Sequence, residues 1–134
     1  MRKKIDYRSI ILLGILILVE QIIKFAVVRY CPEIVSINKG ILFGFISNFY
    51  IVGLLLVAGS IVLGYLIVKS QKIDLSLILI LAGALSNIID RFVYKGVVDY
   101  LNISFWTNFN LADVFIVAGV LIYIYKLIFI ARYK

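Results

Sequence analysis

The chain has 134 residues, of which 64% are hydrophobic, with a net charge of +7 and a mean hydropathy of +1.12. No soluble domain of this size needs so much apolar sequence, so the composition indicates one membrane domain covering residues 1–134. The absence of histidine excludes Ser-His and Cys-His catalysis and every His-based metal site, and the single cysteine, Cys31, excludes an internal disulfide.

Four apolar stretches are each about 20 residues long, which is the length that a helix needs to cross a bilayer. They run over residues 9–28, 49–68, 75–94 and 111–130. Between the first two, the segment EIVSINKGILFGF (residues 33–45) partly alternates apolar and polar side chains and predicts a short β element, with Gly40 and Gly44 permitting turns. The predicted fold is an all-α membrane protein with four transmembrane helices, a small extracytoplasmic β element and a short outer loop.

Lys and Arg are distributed unevenly between the two sides of these predicted spans. Nine lie on one side, namely Arg2, Lys3, Lys4, Arg8, Lys69, Lys72, Lys126, Arg132 and Lys134. Four lie on the other side, namely Arg29, Lys39, Arg91 and Lys95. The positive-inside rule therefore predicts cytoplasmic termini, with residues 30–48 and 95–110 facing outward. Basic residues grouped at helix ends suit anionic lipid headgroups, and nucleic-acid binding is not expected.

Three of the seven acidic residues, Asp90, Asp99 and Asp113, lie between residues 83 and 113 beside strongly apolar sequence. An Asp in or near hydrocarbon is costly, so a chain retains one there only with a partner or a function. Asp99 and Asp113 are separated by a short predicted outer loop that can bring their carboxylates together. A close pair of carboxylates shares one proton and so holds an acid and a base at once, as in aspartic proteases.

Two asparagines are placed to support these carboxylates. Asn87 precedes Asp90 by three residues, and Asn110 precedes Asp113 by three residues, so each pair shares one helix face. An amide both donates and accepts hydrogen bonds, and it can orient a carboxylate without adding charge.

Other interpretations of the charged residues stay open at this level. Glu20 and Lys24 have the spacing of an ion pair along one helix, and we predict a structural pair or an anchor to another helix. Asp90 and Arg91 could snorkel to the interface, Asp99 could be a solvated loop residue, and Asp113 could only cap a helix. The residues alone do not decide between a hydrolase and a small proton-coupled transporter or channel subunit. The second would use the three aspartates as relay groups.

Four blocks of sequence, in order, carry a resemblance to a known family. They are Glu20-Gln21 with Lys24; Asn38-Lys39-Gly40-Ile41-Leu42-Phe43-Gly44; Gly83-Ala84-Leu85-Ser86-Asn87-Ile88-Ile89-Asp90-Arg91, followed by Val97-Val98-Asp99-Tyr100; and Phe109-Asn110-Leu111-Ala112-Asp113, with Gly119 after it. Together they resemble the lipoprotein signal peptidase family, also called signal peptidase II, across most of the chain.

The resemblance implies an aspartyl endopeptidase of the bacterial cytoplasmic membrane that removes signal peptides from prolipoproteins, cutting before a diacylglyceryl-modified cysteine. By residue match, Asp99 and Asp113 would be catalytic at the outer face. By the same match, the residues that would support and orient them are Asn87, Asp90 and Asn110. Those that would lie near the substrate groove are Asn38, Gly40 and Arg91. A shared proton supplies both acid and base, so neither a metal nor another cofactor is expected.

The expected partners are a diacylated prolipoprotein and membrane lipids, with peptide antibiotics of the globomycin type as candidate inhibitors and a monomer as the expected state. Three features depart from the family pattern. Glu20 stands where Asp is usual, Leu42 stands where a small residue is usual, and the segment between Asp99 and Asp113 is short. A lipoprotein-binding paralogue without catalytic activity therefore remains an alternative.

Overall fold

The computed structural model describes residues 7–40, 74–103 and 107–130, together with residues 58, 59, 61 and 65. The elements follow in chain order: helix α1 (Tyr7–Tyr30), a 3-10 turn (Pro32–Ile34), strand β1 (Ser36–Asn38), helix α2 (Leu75–Tyr94), strand β2 (Val97–Asp99) and helix α3 (Leu111–Tyr125), which continues as a π-helical turn (Lys126–Ile130). Three helical stretches in these ranges, Tyr7–Tyr30, Leu75–Tyr94 and Leu111–Phe129, are long and apolar enough to cross a membrane.

The predicted first, third and fourth spans are therefore confirmed as helices of suitable length and composition. The predicted second span, 49–68, lies outside the described residues apart from Ala58, Gly59, Ile61 and Tyr65, which are helical. The central part of the predicted outer loop, residues 104–106, also lies outside them.

Local sequence explains where the described helices begin and end. Helix α1 ends at Tyr30, one residue before the Cys31–Pro32 step, because proline disfavours helical backbone in the residue that precedes it. Helix α2 begins after Asp74, whose side chain accepts a hydrogen bond from the Ser76 backbone N–H at 3.3 Å. It ends at Tyr94, and the following residue, Lys95, takes the left-handed conformation with φ of 60°.

Two glycines allow α2 and α3 to pack with their backbones close together. A Cβ atom at Gly83 would collide with the carbonyl oxygen of Ala112, and one at Gly119 would lie 2.6 Å from the carbonyl oxygen of Ser76. Small residues permit this approach between helices in a membrane, where packing rather than water exclusion drives association. The contact at Gly83 holds the start of α3 against α2, one turn from Asn87.

The two strands form an antiparallel ladder that pairs Ser36 with Asp99 and Asn38 with Val97. The predicted β element is thus confirmed over residues 36–38. Its first residues lie in the 3-10 turn instead, residues 39 and 40 are not strand, and its remainder from residue 41 onward lies outside the described residues. The pairing brings β2, which directly follows α2, against the segment that follows α1. Asp99 therefore belongs to a sheet and is 2% exposed, so its interpretation as a solvated loop residue is wrong.

Candidate active site

Asp99 and Asp113 are joined through two asparagine side chains. Asn110 Nδ2 donates to Asp99 Oδ1 at 2.8 Å, and Asn87 Nδ2 donates to Asp113 Oδ1 at 2.9 Å. The two amides are themselves connected, because Asn110 Nδ2 also lies 3.2 Å from Asn87 Oδ1. Each carboxylate is thus oriented by a donor that adds no charge. The spacing suggested Asn87 as the support of Asp90 and Asn110 as that of Asp113, whereas the two amides donate to Asp113 and Asp99. The arrangement holds one buried and one half-buried carboxyl group within a single hydrogen-bonded cluster.

The electrostatic environment separates the two carboxyl groups. Burial, which is the largest cause, and the negative charge of Asp113 together raise the pKa of Asp99 to about 6, and the hydrogen bonds from Asn38 and Asn110 act in the opposite direction. At a pH near 6, about half of Asp99 therefore keeps its proton beside the second carboxyl group. Such a pair can supply an acid and a base to the same reaction.

Asp113 occupies the third position of α3 and takes part in a reciprocal cap. Asn110 Oδ1 accepts from the Asp113 backbone N–H at 2.9 Å, and Asp113 Oδ2 accepts from the Asn110 backbone N–H at 3.2 Å. This capping box begins the helix at Leu111. One carboxylate oxygen of Asp113 thus serves the cap, while the other faces Asn87, so capping and membership of the cluster are compatible.

The last residue of β1 also contacts Asp99 and links it to the segment that follows the strand. Asn38 Nδ2 donates to Asp99 Oδ2 at 3.2 Å, and Asn38 Oδ1 accepts from the Gly40 backbone N–H at 3.1 Å. The Gly40 carbonyl oxygen accepts from Arg91 Nη2 at 3.1 Å, which ties this segment to the end of α2. The three residues that the family resemblance assigned to a substrate groove are therefore connected to one another and to Asp99.

A buried ion cluster lies beneath this region, between α1 and α2. Lys24 Nζ lies 2.6 Å from Asp90 Oδ2, 3.0 Å from Asn87 Oδ1 and 3.4 Å from Glu20 Oε1. The predicted Glu20–Lys24 pair is present, but the shorter contact of Lys24 is with Asp90 on the neighbouring helix. All three charged side chains are fully buried, and Arg91 is 8% exposed, so snorkelling of Asp90 and Arg91 is excluded.

Sequence reasoning assigned no role to three residues that complete these networks. Gln21 Nε2 donates to the Ser86 carbonyl and hydroxyl oxygens and to Asp90 Oδ1, at 2.9 to 3.1 Å. The Tyr100 hydroxyl donates to Glu20 Oε2 at 2.8 Å. Gln21, Ser86 and Tyr100 all stand in the family-like blocks. A further signal for Ser86 was its four-residue spacing from Asp90, which places both residues on one helix face.

The described residues hold no group of three or more His, Cys, Asp or Glu side chains arranged to bind a metal ion. The polar groups that converge near Asp99 and Asp113 are amides and backbone N–H groups. The cluster is therefore equipped to orient carboxyl groups.

Several known proteins are similar to this chain in sequence and in fold. The family described as "Signal peptidase (SPase) II" matches residues 11–129. Lipoprotein signal peptidases from Chlamydia felis and Thermodesulfovibrio yellowstonii are 38% and 32% identical to the chain, over 78% and 90% of it and over 67% and 94% of their own lengths. A bacterial membrane enzyme solved in meso at 2.3 Å resolution superposes with a TM-score of 0.78 at 26% identity, covering 95% of this chain and 91% of its own. The chain therefore belongs to the signal peptidase II family.

Proposed function

We propose that this chain is an aspartic endopeptidase of a bacterial membrane that removes signal peptides from prolipoproteins, cutting before a cysteine that carries diacylglycerol. Membership of the signal peptidase II family supports the substrate class. The observation that carries the catalytic type is the connection of Asp99 to Asp113 through Asn110 and Asn87, with Asp99 buried.

In the proposed reaction, ionised Asp113 takes a proton from a water molecule while protonated Asp99 donates a hydrogen bond to the scissile carbonyl oxygen. The water oxygen forms a bond to the carbonyl carbon while the carbonyl oxygen takes the proton of Asp99. The carbon–nitrogen bond then breaks as the departing amine takes the proton that Asp113 removed from water, and the proton on the former carbonyl oxygen returns to Asp99. The raised pKa of Asp99 supports its assignment as the acid. The position of Asp113 near a helix N-terminus supports its assignment as the base, since that end of the helix favours negative charge.

The carboxylate pair lies at one end of the helices, not at their midpoint. Asp113 is in the first turn of α3, and Asp99 lies in the strand that follows the end of α2. A transporter needs its carboxylates near the middle of the membrane with access from both sides, so this position favours the peptidase. The excess of Lys and Arg on the opposite side supports cytoplasmic termini and an outward-facing site.

Within this proposal, Asn38, Gly40 and Arg91 lie along the path of the substrate, and Glu20 and Lys24 form a buried ion pair that does not touch it. The substrate's acyl chains stay in the surrounding lipid. The proposed active form is a monomer, and peptide antibiotics of the globomycin type are its proposed inhibitors.

A cleavage assay on a diacylated prolipoprotein, with the chain reconstituted in phospholipid vesicles, tests the function. We expect release of the signal peptide from the acylated substrate, no release from a substrate whose cysteine is replaced by serine, and no effect of EDTA. Binding without cleavage would instead identify a lipoprotein-binding paralogue. Loss of activity in EDTA that zinc restores would contradict the shared-proton mechanism.

The pH profile of cleavage should report the state of Asp99. Asp99 must be protonated to act as the acid, so kcat/KM should fall as pH rises through about 6, the value to which burial and Asp113 raise its pKa. Initial rates on a lipopeptide substrate, measured from about pH 4 to about pH 9, give this profile. A rate that stays constant across the range from about pH 5 to about pH 7 would argue against Asp99 as the acid.

A further inference from the structure

The first backbone N–H groups of α3 are held by side chains from other parts of the fold. The Tyr100 hydroxyl accepts a hydrogen bond from the Leu111 N–H at 3.3 Å, and Glu20 Oε1 accepts one from the Ala112 N–H at 3.2 Å. The next N–H group is the one that Asn110 caps. Helix N-terminal N–H groups have no partner within the helix, so acceptors from elsewhere decide where that end of the helix is held.

Glu20 and Tyr100 are also bonded to each other. The Tyr100 hydroxyl donates to Glu20 Oε2 at 2.8 Å, so this one hydroxyl donates toward α1 and accepts from α3. Burial, together with the hydrogen bond to Glu20, raises the pKa of Tyr100, so its hydroxyl keeps the proton that it donates. Glu20 is fully buried, and Lys24 Nζ lies 3.4 Å from its Oε1. The negative charge of Glu20 is therefore compensated by Lys24 of the same helix.

We propose that Tyr100 and Glu20 are positioning residues that hold the N-terminus of α3, and with it Asp113, at a fixed separation from Asp99. This inference rests on the proposed function and adds two residues to it. Tyr100 directly follows Asp99 in the chain, and Leu111 precedes Asp113 by two residues. The hydroxyl therefore links the two chain segments that carry the reacting carboxyl groups.

Backbone pairing by itself does not determine this separation. Leu101 and Phe109 exchange backbone hydrogen bonds of 2.8 and 3.0 Å, which close the segment between β2 and α3. That closure ends before the N-cap residue Asn110, so the direction of α3 relative to β2 depends on side chains. Asn110 supplies one link through Asp99, Tyr100 supplies a second, and Glu20 ties α3 to α1.

Tyr100→Phe removes the hydroxyl and little else, so it tests the proposal directly. Small displacements of reacting groups are costly, and we expect kcat to fall about tenfold while KM stays nearly unchanged. The limb of the pH profile that reports Asp99 should also move to lower pH, because an Asp113 held farther away raises the pKa of Asp99 less. The other charges that act on Asp99 are those of Lys24 on α1 and Arg91 on α2, and both remain in this variant.

The values of kcat and KM and the pH profile can be measured with a diacylated lipopeptide in phospholipid vesicles, with rates expressed per folded enzyme. Tyr30→Phe, at the exposed end of α1, is the matched control and should behave as the parent chain. Glu20→Gln keeps the side-chain length and should change kcat and the pH profile in the same direction. The double variant should be less impaired than the product of the two single effects, because both residues act on one contact.

Each outcome of this experiment has a defined meaning. Parental kcat and an unshifted pH profile in Tyr100→Phe would overturn the inference while leaving the proposed function intact. If neither Tyr100→Phe nor Glu20→Gln can be obtained folded, the pair maintains the fold and not the carboxylate geometry, and the inference is again overturned. A parent chain that does not cleave would refute the proposed function, and the inference would fall with it.

Discussion

Asp99→Asn and Asp113→Asn should each reduce cleavage of a diacylated prolipoprotein by about 10,000-fold or more, since each removes one half of a unit that must hold both an acid and a base. Asparagine has nearly the shape of aspartate and keeps one oxygen acceptor. It can therefore still accept from Asn110 at position 99 or from Asn87 at position 113, where those donors now lie. Folding and lipopeptide binding should consequently persist, and single-turnover assays with a binding measurement in parallel separate the two effects.

The double variant Asp99→Asn/Asp113→Asn should be little worse than either single variant, because residues that act as one unit do not contribute additively. Asp74→Asn is the matched control: Asp74 is the N-cap of α2 and pairs with Lys126 at the far ends of α2 and α3. Asparagine is a good N-cap residue, so this variant should retain parental cleavage. Full activity in either single variant of the carboxylate pair would refute the proposed mechanism.

Lys24→Met should be the most destabilising substitution among the charged residues in the described part of the chain, at about 3–5 kcal/mol. It removes the ammonium group that lies 2.6 Å from Asp90 and 3.4 Å from Glu20, both fully buried. Two buried carboxylates would then lack their cation, and desolvation opposes the charge on each. Denaturant unfolding of the purified protein in micelles measures the loss.

Two further variants make this test specific. Lys126→Met removes the cation of a partly exposed pair with Asp74 and should cost about 1 kcal/mol or less. Adding Asp90→Asn to Lys24→Met should recover part of the lost stability, because one of the two uncompensated charges is then absent. Equal unfolding free energies for Lys24→Met and Lys126→Met would show that the buried cluster does not stabilise the fold in this way.

The helices could be predicted from sequence because hydropathy and helix-ending residues act locally. Residues 75–94 were predicted as a span and form α2 over Leu75–Tyr94, and α1 extends only two residues beyond each end of the predicted 9–28. The fourth span also begins where predicted, at Leu111, next to the capping pair of Asn110 and Asp113. The approximate neighbourhood of Asp99 and Asp113 followed as well, since a short loop between membrane helices brings its two ends together.

Sequence reasoning could not predict which distant side chains and strands the residues of the site contact. Lys24 has the spacing to pair with Glu20 along α1, but its shorter contact is with Asp90, 66 residues away, because the packing of α1 on α2 decides which carboxylate is nearest. Likewise, the short segment Val97–Asp99 has no strand signal of its own and becomes a strand through pairing with β1.

The sequence by itself therefore determined the class of protein, the spans that hydropathy marks, and the carboxylates and amides available for chemistry. Only the tertiary structure decided that Asn87 and Asn110 connect Asp99 with Asp113, and that Tyr100 and Glu20 hold the start of α3. The physical reason is that helix formation depends on neighbours within a few residues along the chain, whereas these hydrogen bonds depend on how separate elements pack in space.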